Sequence, residues 1–337
     1  MREAIIGAAT GALRRAGRVG QVVGPGVDLD LSTGFGGALG SARSRRLAGR
    51  LDRTDLAVYR RIWLDAADEL GASVEDRPGG YLAIHRHGSS TLVWRNLVQF
   101  DDPVVLRRAS DKPVVHSLVR GADLPVPAHA LFDRGDLRPA LRFLESVGPP
   151  VVVKPAVHTG RGDGVTCGVS TATDLARASL RASRFGPLLL IEQQGKGQEL
   201  RLLFLDGALI GGLARRPPHV VGDGRSSVAD LVAAENERRM RSEGQAGLFP
   251  IVVDLDCVLA LRSQELTLQH HPRVGEQVRV KSMANAGGPE DNTTLPARTL
   301  SPNLVDACRR AVTVIGLRLG AARSSCRIRA PPRPPLG

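Results

Sequence analysis

The sequence predicts a globular protein of mixed α and β elements, in an α+β or α/β arrangement. Three observations predict it. Helix-type and strand-type patterns alternate from residue 111 onward. A strong hairpin signal, Asp206-Gly207, separates the apolar runs Leu200 to Leu205 and Ala208 to Ala214. A buried-type strand, Pro150-Val151-Val152-Val153-Lys154-Pro155, ends in a lysine and runs into a glycine-rich loop.

Residues 1–50 are rich in Gly, Arg and Ala and poor in acids, which predicts a poorly ordered start. Thr54 reads as the N-cap of a helix whose apolar positions are Val58, Ile62, Trp63, Ala66 and Leu70, with Gly71 to stop it. Segments 81–86 and 91–100 read as a hairpin around His87-Gly88-Ser89-Ser90. Helices follow at Asp111 to Arg120 and Asp136 to Val147, then the strand Val151 to Lys154, a helix from Thr173 to Ser183 and a strand from Leu188 to Glu192. Beyond the Asp206-Gly207 hairpin, Ser227 to Ser242 reads as a helix and Asp254 and Asp256 as alternate positions of a strand. Ser301-Pro302 opens a helix to about Ile315, and from about residue 321 the chain turns rich in Arg, Ser and Pro, unlike a buried strand. No internal repeat occurs.

A chain of 337 residues, 42% hydrophobic, can bury a full core and favours two or three packed subdomains. It contains no run of eighteen apolar residues and no apolar leader, so a cytoplasmic protein with no membrane partner is expected. Cys167, Cys257, Cys308 and Cys326 stand far apart and read as free thiols rather than zinc ligands. The net charge of +12 raises nucleic acid as a partner, because basic surfaces bind phosphate backbones. Aromatic residues are only 3%, however, and none interleave with the arginines, so no nucleic-acid partner is expected. Against that arginine bias the lysines Lys112, Lys154, Lys196 and Lys281 stand out. A compact ammonium suits a narrow phosphate pocket where a broad guanidinium does not.

Neither the G-x-x-x-x-G-K-[ST] phosphate loop nor a strict G-x-G-x-x-G is present. The loop after Lys154 reads His158-Thr159-Gly160-Arg161-Gly162-Asp163-Gly164-Val165. Its glycines let backbone N–H groups approach phosphate oxygens, although a glycine-rich surface turn would read the same way in isolation. The context sharpens it. Asp111-Lys112 opens a helix and Leu124-Pro125-Val126-Pro127 follows. Leu190-Ile191-Glu192 leads to Gly197-Gln198-Glu199-Leu200-Arg201, and then come Ala214-Arg215-Arg216-Pro217-Pro218, Val220-Val221-Gly222-Asp223-Gly224 and Asn285-Ala286-Gly287-Gly288 with Asp291.

This ordered series, over about residues 101 to 320, resembles the ATP-grasp superfamily, and within it the cyanophycin-synthetase-like ligases of amino acids and peptides. The resemblance implies an α+β fold in which two subdomains clasp ATP, preceded by a small α/β region. It implies a carboxylate–amine ligase working through an acyl phosphate on a small amino-acid or peptide substrate, with a homo-oligomer possible. A non-catalytic ATP-binding scaffold is the alternative. Carried over by motif, Lys112 and Lys154 would contact nucleotide phosphates under a lid containing His158, Gly160, Gly162 and Gly164. Glu192, Gln193 and Gln194 would form the hinge that receives adenine, and Glu199 would hold the ribose hydroxyls. Arg201, Arg215 and Asn285 would serve the transferring phosphate, with Gly287 and Gly288 shaping the far wall.

The resemblance also implies magnesium, held by an aspartate on the strand after the last helix and by a Glu-x-Asn pattern beyond it. Here that stretch reads Gly320-Ala321-Ala322-Arg323-Ser324-Ser325-Cys326-Arg327, with no carboxylate after Asp306. The magnesium ligands are missing, which predicts impaired activity and points to a shifted reading frame or a truncated gene. Asp254 and Asp256 do not replace them, because they precede the asparagine loop. The expected division is a start over 1–50, an N-terminal region over 51–105, ATP-grasp subdomains over 106–194 and 195–320, and an aberrant tail over 321–337, leaving the fold incomplete at its C-terminal end. Asp223 reads as a turn residue and His270-His271 as loop histidines rather than metal ligands.

Overall fold

The computed structural model describes residues 42–157, 162–241, 250–284 and 291–326. The expectations for His158, Gly160, Asn285, Gly287 and Gly288, and for most of the two terminal segments, lie outside those residues. Helix α1 (Ala42–Glu69) precedes a four-stranded antiparallel meander, β1 (Ser73–Arg77), β2 (Tyr81–Arg86), β3 (Ser89–Trp94) and β4 (Leu97–Val98). Thr54 lies inside α1 rather than at its N-cap. The residues before it, Ala42 to Arg53, are mostly Ala, Arg and Leu, strong helix formers, and contain no proline to stop the helix. The β2–β3 turn is two residues long, with His87 and Gly88 at φ of 49° and 73°, a left-handed pair that matches the twist of the strands.

Two short helices follow, α2 (Pro103–Ala109) and α3 (Lys112–Gly121), each with an aspartate N-cap and proline in its first turn. The second sheet uses β5 (His129–Asp133), β6 (Val151–Pro155), β7 (Thr166–Val169) and β8 (Leu188–Gln193) in the order β5-β8-β6-β7, all antiparallel. Helices α4 (Arg138–Val147) and α5 (Ala172–Ala182) cover one face, where Val151, Val153, Leu189 and Ile191 meet Leu144, Leu175 and Ala178 in a buried cluster. Strand alternation turns the neighbouring positions, Lys154 and Glu192, to the other face.

The third sheet has β9 (Gln198–Leu205) and β10 (Ala208–Arg215) as its central hairpin. A small ribbon of β11 (His219–Val221) and β12 (Gln277–Arg279) packs with α6 (Val228–Arg241) and α7 (Leu255–Arg262) around Val228, Val232, Ile251, Leu261 and Val278. Asp254 and Asp256 therefore belong to a helix rather than a strand: Asp254 caps α7 by accepting a hydrogen bond from Cys257 N, and Asp256 follows in its first turn. An acidic pair at a helix start satisfies free N–H groups and the positive end of the helix dipole.

Strand β13 (Asn292–Thr294), helix α8 (Pro302–Ile315) and strand β14 (Leu319–Cys326) complete the third sheet in the order β13-β10-β9-β14. β14 pairs with β9 over its whole length, so residues 321–326, which the sequence reads as unlike a buried strand, belong to the third sheet. An edge strand needs only one apolar face and tolerates polar residues on the other, which an apolarity scan does not register. Among the described residues, no helix is long and apolar enough to cross a membrane.

Candidate functional site

Two clusters of charged side chains lie at the ends of the link 194–197, which joins β8 to β9. The first is on the face of the second sheet turned away from α4 and α5. Lys154 Nζ sits 2.6 Å from Glu192 Oε1, with both side chains largely buried. His129 lies directly opposite Glu192 across the β5–β8 ladder. His116 reaches the same place from α3, one turn beyond Lys112, with its Nε2 4.0 Å from Glu192 Oε2 and its ring 4.3 Å from that of His129. An isolated bridge between Asp111 and Val157 joins the start of α3 to the continuation of β6. The backbone of Lys112 is thereby held beside the strand that carries Lys154.

His129 Nδ1 lies 2.9 Å from the carbonyl of Pro127 and 3.4 Å from Arg120 Nη2, which anchor the ring. His116 has no such anchor, since its Nδ1 is buried without a hydrogen-bond partner. Burial, then the positive charges of Lys154 and its neighbours, lower its pKa from 6.5 to about 4 despite the opposing pull of Glu192. The ring is therefore neutral at pH 7. Between about pH 6.5 and 4 an unfolded chain takes up this proton and the folded one does not, so stability falls as pH drops through that window. Urea midpoints at pH 7.5 and 5.0 test this: His116→Gln is expected to reduce the loss on acidification, and an unchanged loss refutes it.

Gln194 ties the end of β8 to β7 through its side-chain oxygen, which accepts a hydrogen bond from Gly168 N at 2.7 Å. Gln193 N donates to Ala128 O at 2.9 Å. The glycine loop has a rigid root. Gly164 has φ of +72°, and a Cβ there would lie 2.8 Å from both Phe185 and Pro155. Gly164→Ala is expected to cost about 2–3 kcal/mol in chemical denaturation, from left-handed backbone and overpacking together. Gly162 turns the chain with φ of 85°, its carbonyl accepting from Val165 N at 3.1 Å.

The second cluster lies on the third sheet. Glu199 is opposite Arg215 on β10 and Ser325 on β14, while Arg201 is opposite Leu213 and Arg323. Arg215 Nη1 and Arg323 Nε lie 3.4 and 3.5 Å from the same Glu199 oxygen. Arg215 is buried and donates to Ala284 O at 2.7 Å, which ties β10 to the segment before Asn285. Both clusters act on Cys167: burial raises its thiol well above the usual value, and Asp256, Glu192 and Glu199 add to the rise.

A third group joins the subdomains. Lys281 Nζ is buried 2.5 Å from Asp254 Oδ1 and 3.6 Å from Asp256 Oδ2. Asp254 also meets Arg181 of α5 at 2.6 Å, and the fully buried Asp256 accepts from Cys167 N and Ser282 N at 3.0 Å each. These carboxylates are committed to cations and backbone. Asp223 is similarly occupied, closing a turn onto the N–H groups of Arg225 and Ser226. His271 Nδ1 contacts Arg225 O at 2.8 Å, and Asp291 is buried against His219 at 2.8 Å.

No magnesium site is assembled among the described residues. Glu199 lies between two guanidinium groups, and the described residues hold no cluster of three or more His, Cys, Asp or Glu side chains able to hold a metal. Sequence reasoning missed three members of these clusters. His116 was detectable as the residue four places after Lys112 on one helix face; His129 and Arg323 were not, because only strand register brings them to the site.

No protein-family model matches the chain. It is 28% identical over 213 residues to cyanophycin synthetase of a Nostoc species, covering 62% of this chain and 23% of that protein. It is 29% identical over 228 residues to the glutathione biosynthesis bifunctional protein of Streptococcus mutans, covering 66% and 29%. The chain thus spans about a quarter of the length of these curated relatives. Among solved structures it is similar to a bifunctional glutathione synthetase from Pasteurella multocida, with TM-score 0.48 and 23% identity over 82% of this chain and 37% of that one. A second similar structure is D-alanine–D-alanine ligase from Bacillus anthracis, with TM-score 0.39 and 14% identity over 68% and 56%.

Proposed function

We propose, starting from the resemblance of this chain to ATP-grasp ligases, that it binds ATP between its second and third sheets and belongs to a carboxylate–amine ligase of amino-acid or peptide substrates. The observation that carries the reading is the convergence of Lys154, Glu192 and His116 beside a four-residue link between two α+β units. A lysine near a strand end, a glycine loop beside it and a short link between two units are what a nucleotide clamp requires. In this reading Lys112 and Lys154 meet the phosphates, residues 192–194 receive the base, and Glu199 meets the ribose. Arg201 and Arg215 face the phosphate transferred to the substrate carboxylate, where donors preorganised for developing charge lower the barrier. Asn285, Gly287 and Gly288 would close the far wall.

A second reading is a non-catalytic ATP-binding protein, suggested by the charge pattern around Glu199, where two guanidinium groups already meet the carboxylate. In that case, or in a ligase impaired by it, nucleotide binds without turnover. Calorimetric titration of the full chain with ATP, followed by an ADP-release assay over an amino-acid pool, separates the outcomes. Binding with amino-acid-dependent ADP release supports the ligase, binding alone supports the second reading, and no binding refutes both.

A further inference from the structure

The face of the third sheet that carries Glu199 has an unusual charge pattern. Residues directly opposite in an antiparallel ladder project from the same side. The register therefore groups Glu199, Arg215 and Ser325 with Arg201, Leu213 and Arg323, and continues to Asn292 and Thr294 on β13. Glu199 is the single carboxylate among these, against three guanidinium groups. We propose that Arg201, Arg215 and Arg323 form a cradle that binds an oligophosphate, such as the phosphates of a nucleotide, without a divalent cation. The proposal rests on the nucleotide reading for the identity of the ligand, and on this chain's own residues for the absence of a metal requirement.

Geometry supports it. Arg215 and Arg323 converge on one oxygen of Glu199, from opposite neighbouring strands. Arg215 is held rigidly by its buried position and by Ala284 O, whereas the Arg323 side chain is 54% exposed and open to an incoming ligand. Burial and the nearby charge of Arg323 both disfavour the Arg215 cation, and Glu199 opposes them. An anion accepted between the two guanidinium groups relieves that repulsion, and planar forks match phosphate oxygens in pairs. A magnesium ion would instead need several oxygen ligands on this face, and among the described residues grouped here it meets one carboxylate, already engaged.

The test is calorimetric titration of the full chain with tripolyphosphate and, separately, with ATP, each in EDTA and in excess MgCl2. Tripolyphosphate is expected to bind in EDTA, and magnesium to leave that affinity unchanged or weaken it, because the chelated phosphate carries less charge. Arg323→Gln is expected to weaken binding in EDTA by about tenfold or more. Arg323→Asp is expected to abolish binding in EDTA. Tripolyphosphate binding that requires magnesium overturns the cradle without reference to any variant, and so does full affinity in a folded Arg323→Gln protein. If tripolyphosphate binds in EDTA and ATP does not bind at all, the cradle stands and the nucleotide reading falls. If ATP binds only with magnesium and tripolyphosphate fails in EDTA, the reverse holds.

Discussion

Asp256→Ala is expected to destabilise the protein by about 4 kcal/mol, more than any other single change considered, and to do so without touching the proposed nucleotide contacts. Asp256 is fully buried and accepts hydrogen bonds from Cys167 N on β7 and Ser282 N beyond β12. Its removal orphans two backbone donors, each costing about 1–3 kcal/mol when desolvated, and leaves Lys281 with less compensation. Lys281→Met is expected to cost somewhat less, about 3 kcal/mol, because Arg181 still holds Asp254 and the two N–H groups still hold Asp256. The double variant should cost less than the sum, since both changes break one network. Urea unfolding of the three proteins measures this; a loss below about 1 kcal/mol for Asp256→Ala would show that the network does not hold the subdomains together.

Lys154→Met is expected to lower ATP affinity roughly a hundredfold. A charge-assisted contact to phosphate contributes about 1.5–3 kcal/mol, and the substitution also leaves Glu192 as an unneutralised carboxylate facing an anionic ligand. Lys154→Arg keeps the charge and should recover part of the affinity, though a planar fork fits a narrow site less well. Titration calorimetry on folded protein decides it. If Lys154 served only as the ion-pair partner of Glu192, the variant would lose stability while its ATP affinity stayed within about twofold of the parent.

Local signals made most of the elements legible. The Asp206-Gly207 turn, the aspartate and proline at the start of α3 and the apolar run of β9 are each written in a few adjacent residues. Where short-range reading failed, the competing signal was equally local but of another kind. Asp254 and Asp256 alternate like strand residues, yet an aspartate N-cap followed by apolar residues nucleates α7 instead. β14 lacks the apolar signature of a buried strand because an edge position requires only backbone pairing with β9 and one modest apolar face.

What the sequence by itself determined is the kind of chemistry available: a few lysines in an arginine-rich chain, a glycine loop after a strand, a carboxylate at a strand end, and a resemblance to ATP-grasp ligases carried by those residues. Only the tertiary structure decided which of them meet. Strand register sets His129 against Glu192 and Arg323 beside Glu199, over sequence separations of 63 and 124 residues. It also spent Asp254, Asp256 and Lys281 on one another. The physical reason is that a strand presents alternate side chains to a face, while the neighbour on that face is chosen by long-range pairing and by the cost of leaving a buried charge uncompensated.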